Sequence, residues 1–203
     1  MKILSFDTSN NLASVAIVEN QKLLAYNTTE ENSQQAEKLF LLIEESLNQT
    51  GFKLSDIDLI SVTNGPGSFT GVRIGLAAAL GLKFAVKAKL IALSNFQIIA
   101  WEARNKFSDK QIAVSLDARR GQVYYQLFDT SLNNLTPPSL LQTEQVPAAD
   151  KNTVIIDDYI PNAKMLSLAT SFFYEQKLYS ELEPLYIREP DVLMPKASSP
   201  SSA

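Results

Sequence analysis

Apolar residues along the chain fall into two alternating rhythms. Three short runs, Ile3 to Phe6, Ala13 to Val18 and Leu23 to Tyr26, are separated by Thr8-Ser9-Asn10-Asn11 and by Glu19-Asn20-Gln21. Turn residues at that spacing predict an antiparallel meander. Between Gln34 and Gln49 the period lengthens: Leu39, Leu42, Ile43 and Leu47 share one helical face, Phe40 and Leu41 lie off it, and Gly51 supplies a stop. Leu59-Ile60-Ser61-Val62 reads as a strand again, and after a glycine-rich block the segment 72–86 reads as a helix. That helix carries Ile74, Leu76, Ala77, Ala78, Ala79, Leu80, Leu82 and Phe84, leaving almost no polar face. A helix apolar all round is buried on more than one side. Leu90-Ile91-Ala92 predicts a further strand, and Ser94 with Gln97 forms a capping box opening a helix to about Ala103.

The second half opens as the first does. Ala113-Val114-Ser115-Leu116-Asp117 parallels Ile3-Leu4-Ser5-Phe6-Asp7, each an apolar strand with serine at the same place and an aspartate at the turn. Gly121 and the strand Val123 to Phe128 follow as the hairpin partner. Such an echo indicates a duplicated lobe. Thr136-Pro137-Pro138 and Val146-Pro147 mark loops, Val154 to Asp157 a buried strand, and Ala163 to Glu175 a helix. The polar stretch 106–110 places the lobe boundary, giving an α/β pair of lobes, 1–106 and a smaller 107–190, with a cleft between them. A Ser/Pro/Ala-rich tail, 191–203, is expected to be disordered.

Two stretches carry candidate chemistry. In Gly65-Pro66-Gly67-Ser68-Phe69-Thr70-Gly71-Val72-Arg73-Ile74-Gly75, the strand-loop-helix order aims free N–H groups out of a helix start, where an anion is favoured. It is neither a Walker loop nor G-x-G-x-x-G, and a tight turn that binds nothing is the competing reading. Asp7, beside Thr8 and Ser9, could hold a metal or a water over a phosphate, or simply accept N–H bonds from its own turn. The candidate phosphate or nucleotide site is therefore Asp7, Thr8, Ser9, Gly65, Gly67, Ser68, Gly71 and Asp117, and the candidate partner surface is Leu39, Leu42, Ile74, Ala77, Ala78 and Leu80. Little material remains in a small lobe to cover both flanks of the 72–86 helix, so subunit association is expected.

Composition narrows the chemistry. The 203 residues contain no histidine and no cysteine, which removes Ser-His-Asp and Cys-His catalysis, imidazole and thiolate metal sites, and disulfides. A formal net charge of −4 speaks against autonomous nucleic-acid binding, and Arg119 and Arg120 at a hairpin are read as solvated. No apolar run is long enough to span a membrane, and the early Asp7 does not suit a signal peptide, so a cytoplasmic location is expected.

The Asp7-Thr8-Ser9 turn, the glycine block, Asp117-Ala118-Arg119 with Gly121 and Val123-Tyr124, and the closing Pro184-Leu185-Tyr186-Ile187-Arg188 together resemble the bacterial TsaB (YeaZ) family. The resemblance implies the two-lobed fold of actin, hexokinase and the large heat-shock chaperones (the ASKHA fold). It further implies a heterodimer with the catalytic paralogue TsaD through first-lobe helices, and a third subunit, the ATPase TsaE. That complex transfers a threonylcarbamoyl group to adenosine 37 of tRNAs reading codons that begin with A. TsaD-type subunits hold their metal with helix histidines, and none exists here; the 34–49 helix offers Gln35, Glu37 and Lys38 instead. The implied role is a non-catalytic activator with no metal or cofactor of its own. ATP and metal are expected in the partner subunits, tRNA contact only through the complex, and a homodimer when the partner is missing. The alternative is a nucleotide-binding, ATPase-like enzyme acting alone around Asp7, Asp117 and the glycine loop, separable by magnesium-dependent ATP binding. A peptidase is disfavoured, because Ser68 and Arg73 make no nucleophile and base pair.

Overall fold

The computed structural model describes residues 1–30 and 34–187. The first five strands, β1 (Lys2–Asp7), β2 (Ser14–Glu19), β3 (Lys22–Thr28), β4 (Leu59–Thr63) and β5 (Lys89–Leu93), form one sheet in the order β3-β2-β1-β4-β5. The other four, β6 (Gln111–Asp117), β7 (Gln122–Phe128), β8 (Ser139–Gln142) and β9 (Thr153–Ile156), form a second in the order β8-β7-β6-β9. Each sheet is built around a hairpin whose first strand pairs in parallel on its other side, β1 with β4 and β6 with β9. The echo seen in the sequence is thus a repeated topology. Asp7, opposite Ser14, and Asp117, opposite Val123, close the two hairpins at equivalent places.

Among the described residues the α-helices are α1 (Gln35–Thr50), α2 (Phe69–Ala85), α3 (Asn95–Arg104) and α4 (Ala163–Glu175). Strand residues alternate in direction, so the first sheet feeds two cores. Leu4, Phe6, Ile60 and Val62 pack with Leu39, Leu42 and Ile43 of α1 and Val72, Leu76 and Leu82 of α2. Ile3, Leu59, Ile91 and Leu93 pack with α3, α4 and one face of the second sheet, through Ile112, Val114, Phe128 and Ile156. The layers run α1/α2, first sheet, α3/α4, second sheet. Because both faces of the first sheet are covered at its centre, β1, β2 and β4 read as near-continuous apolar runs. Where serine interrupts them, the hydroxyls pair: Ser5 Oγ and Ser61 Oγ are 2.6 Å apart, and Thr170 Oγ1 of α4 lies 2.8 Å from Ser61 Oγ, all buried. A polar group in such a layer is tolerable only when bonded.

The structure refines several expected boundaries. Helix α2 begins at Phe69 rather than Val72, because Ser68 Oγ accepts the Gly71 N–H at 3.2 Å and makes the glycine block itself the first turn. Strand β8 follows directly on Pro138, inside a stretch the prolines had marked as loop. Helix α1 ends at a left-handed Gly51, φ 71°, and α3 opens on the reciprocal Ser94 and Gln97 bonds of its capping box. The expected tail, 191–203, and Arg188 lie outside the described residues.

Candidate functional site

The carboxyl ends of β1, β4 and β6 open into a cleft of about 830 Å³ whose lining comes from both halves of the chain. Asp7, Ser9, Gly67 and Ser68 contribute from the first half and Asp117 and Arg119 from the second, with Tyr26, Tyr124 and Phe69 as aromatic walls. Five of the eight sequence-predicted site residues therefore meet in one place. Thr8, Gly65 and Gly71 lie behind the lining.

The Asp7 carboxylate is 1% exposed and engaged by its own surroundings. Its Oδ1 accepts the Ser9 N–H at 2.9 Å, the Ser9 hydroxyl at 2.6 Å and the Thr63 hydroxyl, and its Oδ2 accepts from Asn10 Nδ2 at 3.1 Å. Burial pushes this carboxyl above its ordinary range, against the pull of those bonds. Asp117 is exposed, and its Oδ1 accepts the Arg119 N–H at 2.7 Å. Arg119 and Arg120 both take left-handed backbone angles, φ 62° and 58°.

The glycine block has its close neighbour within the chain. A Cβ on Gly67 would meet the Ser9 carbonyl oxygen, and one on Gly71 the Thr8 carbonyl oxygen, both inside the 3.0 Å that real Cβ atoms do not breach. The β1–β2 turn fills the space over the loop that only glycine leaves open. Ser68 N–H donates to Ser9 O at 2.7 Å, and the Thr8 hydroxyl to Gly71 O at 2.7 Å. Asn95, at the start of α3, fastens the arrangement, its Nδ2 reaching Ser9 Oγ at 2.9 Å and Pro66 O at 2.7 Å. Asn10 Nδ2 carries the same turn across to Pro161 O of the second half at 2.9 Å. Among the described residues no group of three acidic side chains could hold a metal. Asp7 is thus engaged within its own turn, and the Thr8 and Ser9 carbonyls lie against Gly71 and Gly67.

The expected partner surface needs correction. Leu39, Leu42 and Ala78 are buried in the core beneath α1 and α2 and face the sheet, so they are unavailable to another chain. Ile74 is half-buried, while Ala77 and Leu80 are exposed. What the helices present outward is Phe69, Arg73, Ala77, Leu80 and Phe84 on α2, in steps of four and three, with Phe84 90% exposed, and Phe40 and Leu41 on α1. Sequence spacing alone could have found them: once Leu39, Leu42 and Ile43 fill the inner face of α1, Phe40 and Leu41 must point elsewhere. Thr63, Asn95 and Tyr186 went unread as site residues, since each acts across a long separation in sequence, while Asn10 joins its neighbour Asp7 to the distant Pro161.

Repeated hairpin-plus-parallel-strand lobes, helices packed between the sheets and a cleft at the strand ends define a two-lobed protein of the actin and hexokinase class. Residues 24–178 match the family described as TsaD, tRNA N6-adenosine threonylcarbamoyltransferase. The "tRNA threonylcarbamoyladenosine biosynthesis protein TsaB" of Haemophilus influenzae is 27% identical, over 93% of this chain and 94% of its own length. The Buchnera aphidicola (Schizaphis graminum) protein of the same name is 33% identical over 61% of this chain, and the match spans 58% of the length of that relative. The solved structure of YeaZ from Pseudomonas aeruginosa superposes with a TM-score of 0.76 at 23% identity, covering 91% of this chain and 99% of that one, and shows the same fold. The chain belongs to the TsaD family, on its TsaB (YeaZ) branch. Among the described residues no helix is long and apolar enough to cross a membrane.

Proposed function

We propose that this chain is a non-catalytic subunit of the machinery that makes threonylcarbamoyladenosine in tRNA, activating a TsaD partner by docking through the outer faces of α1 and α2. The observation that carries the reading is the apolar face itself: Phe40, Leu41, Leu80 and Phe84 are all exposed on two adjacent helices. Exposed apolar surface in a row marks an association site. The filled cradle over the glycine loop and the saturated Asp7 support the non-catalytic half of the reading, since they leave a remnant of a phosphate site. TsaE joins the assembly and tRNA is met through it. With the partner missing, the same face pairs two copies of this chain.

The test is incorporation of labelled bicarbonate into unmodified tRNA by purified TsaD, TsaE and the carbamoyl-adenylate-forming enzyme, with and without this chain. Modification should require it, while the chain alone turns over nothing. Full modification in its absence would sink the proposal. The competing reading, an independent nucleotide-binding enzyme, has the two-aspartate cleft on its side. A saturable magnesium-dependent ATP titration of the isolated chain would favour it.

A further inference from the structure

Arg73 sits on the exposed stripe of α2, four residues after Phe69 and four before Ala77, and belongs to no part of the cleft. Its guanidinium carbon lies 3.8 Å from the centre of the Phe69 ring and 5.8 Å from that of Tyr186, and the two rings are themselves 5.5 Å apart. Its Nε donates to the Tyr186 hydroxyl at 2.9 Å. Tyr186 is in turn held by the chain beside it, where the Leu185 N–H donates to Asn64 O at 2.8 Å, next to the glycine block. Among the described residues neither Nη group of Arg73 has a hydrogen-bonding or carboxylate partner, and the side chain is exposed. A guanidinium stacked on one ring and pinned at Nε by a second residue has its outer fork already oriented.

We propose that Arg73, clamped by Phe69 and Tyr186, is a pre-oriented carboxylate receptor at one end of the α2 docking stripe, and takes an aspartate or glutamate side chain of the partner subunit. The inference rests on the docking face proposed above and adds the chemistry it demands. Arginine offers carboxylates two parallel N–H bonds, which lysine cannot reproduce. Fixing its rotamers beforehand removes ordering entropy that binding would otherwise cost. Arginine, tyrosine and phenylalanine are all enriched at interface cores, and arginine and tyrosine are among the residues that carry most of the binding energy. Nucleic-acid phosphate would satisfy the same fork, but Ala77, Leu80 and Phe84 continue the stripe as apolar surface, which suits a protein and not a phosphate backbone.

The experiment measures association of the full chain with TsaD of the same organism, at low and high salt, for L80E, R73K and Y186F beside the unaltered protein. L80E should abolish binding. R73K keeps the charge but loses the two parallel N–H bonds, and should weaken binding about 10-fold or more with its salt dependence retained. Y186F keeps the ring but frees Nε, and should lie between R73K and the unaltered protein. Thermal midpoints of R73K and Y186F should match the unaltered protein, and R73E should regain affinity with an acid-to-lysine change on the partner. If L80E still binds, the docking face itself is wrong. If L80E fails to bind while R73K and Y186F associate normally at both salt concentrations, the face stands and the receptor is refuted. It is equally overturned if R73K leaves subunit association intact and weakens only tRNA binding by the assembled complex.

Discussion

The same substitution at two glycines of one helix should act with opposite sign. In Gly71→Ala the new methyl would enter the volume of the Thr8 carbonyl oxygen, a backbone atom that cannot swing aside. Relieving that overlap means displacing the β1–β2 turn. Overpacking of this kind costs about 1–3 kcal/mol, and losing the Thr8 hydroxyl bond to Gly71 O leaves a buried polar group unpaired, for about 1–3 kcal/mol more. The higher helix propensity of alanine returns up to about 1 kcal/mol. A net loss of roughly 2–4 kcal/mol should lower the thermal midpoint by about 5–15 °C in a chain of this size. At Gly81, three turns along, nothing lies within 4 Å of an added Cβ. Gly81→Ala should therefore stabilise by about 0.5–1 kcal/mol. Urea titrations at matched, low protein concentration read both. If Gly71→Ala keeps its stability within about 0.5 kcal/mol of the parent, the close approach does not explain the glycine. Full stability combined with lost function would show that Gly71 serves a ligand instead.

Two further expectations follow from burial. Leu42→Ala should destabilise by about 2–5 kcal/mol as a core truncation, whereas Phe84→Ser, at an almost fully exposed site, should leave the urea midpoint nearly unchanged while weakening association. The Asp7 carboxyl is neutral in both folded and unfolded chains at very low pH. Because burial raises its folded value above the unfolded one, its contribution to stability falls as pH rises from about 3.8 through that folded value. Relative to the parent, Asp7→Asn should then gain stability as pH rises over that window, read from paired denaturation curves. A constant difference between the two would count against the shift.

Much of this was legible in the chain. Period-two runs bounded by turn residues marked β1 to β3, the Ser94 and Gln97 pair marked the start of α3, and the paired strand-aspartate openings marked the duplicated topology, because each signal is local. The cleft followed from duplication. What could not be read was direction in space. The spacing of α1 sets Phe40 apart from Leu39, but that Leu39 and Leu42 are turned to the first sheet and so closed to a partner is set by packing. The glycine block reads as an anion cradle, and the Thr8 and Ser9 carbonyls that lie against Gly71 and Gly67, more than fifty positions earlier in the chain, could not be foreseen from it. Ser68 was visible, but its role as the N-cap of α2 depended on the loop geometry that brings its hydroxyl to Gly71. Asn95 and Tyr186 draw their roles from distant partners, and Asn10 adds the distant Pro161 to its local bond with Asp7.

The position of α4 bears on how the protein is made. Helix α4, late in the chain, covers the face of the first sheet formed by Ile3, Leu59, Ile91 and Leu93, and bonds to it through Thr170 and Ser61. A nascent chain that has completed β1 to β5 still carries that face bare. It cannot bury the face until residue 175 has left the ribosome, so the halves do not mature one after the other as separate domains do. Premature termination anywhere before α4 thus yields a sticky fragment, not a smaller working lobe.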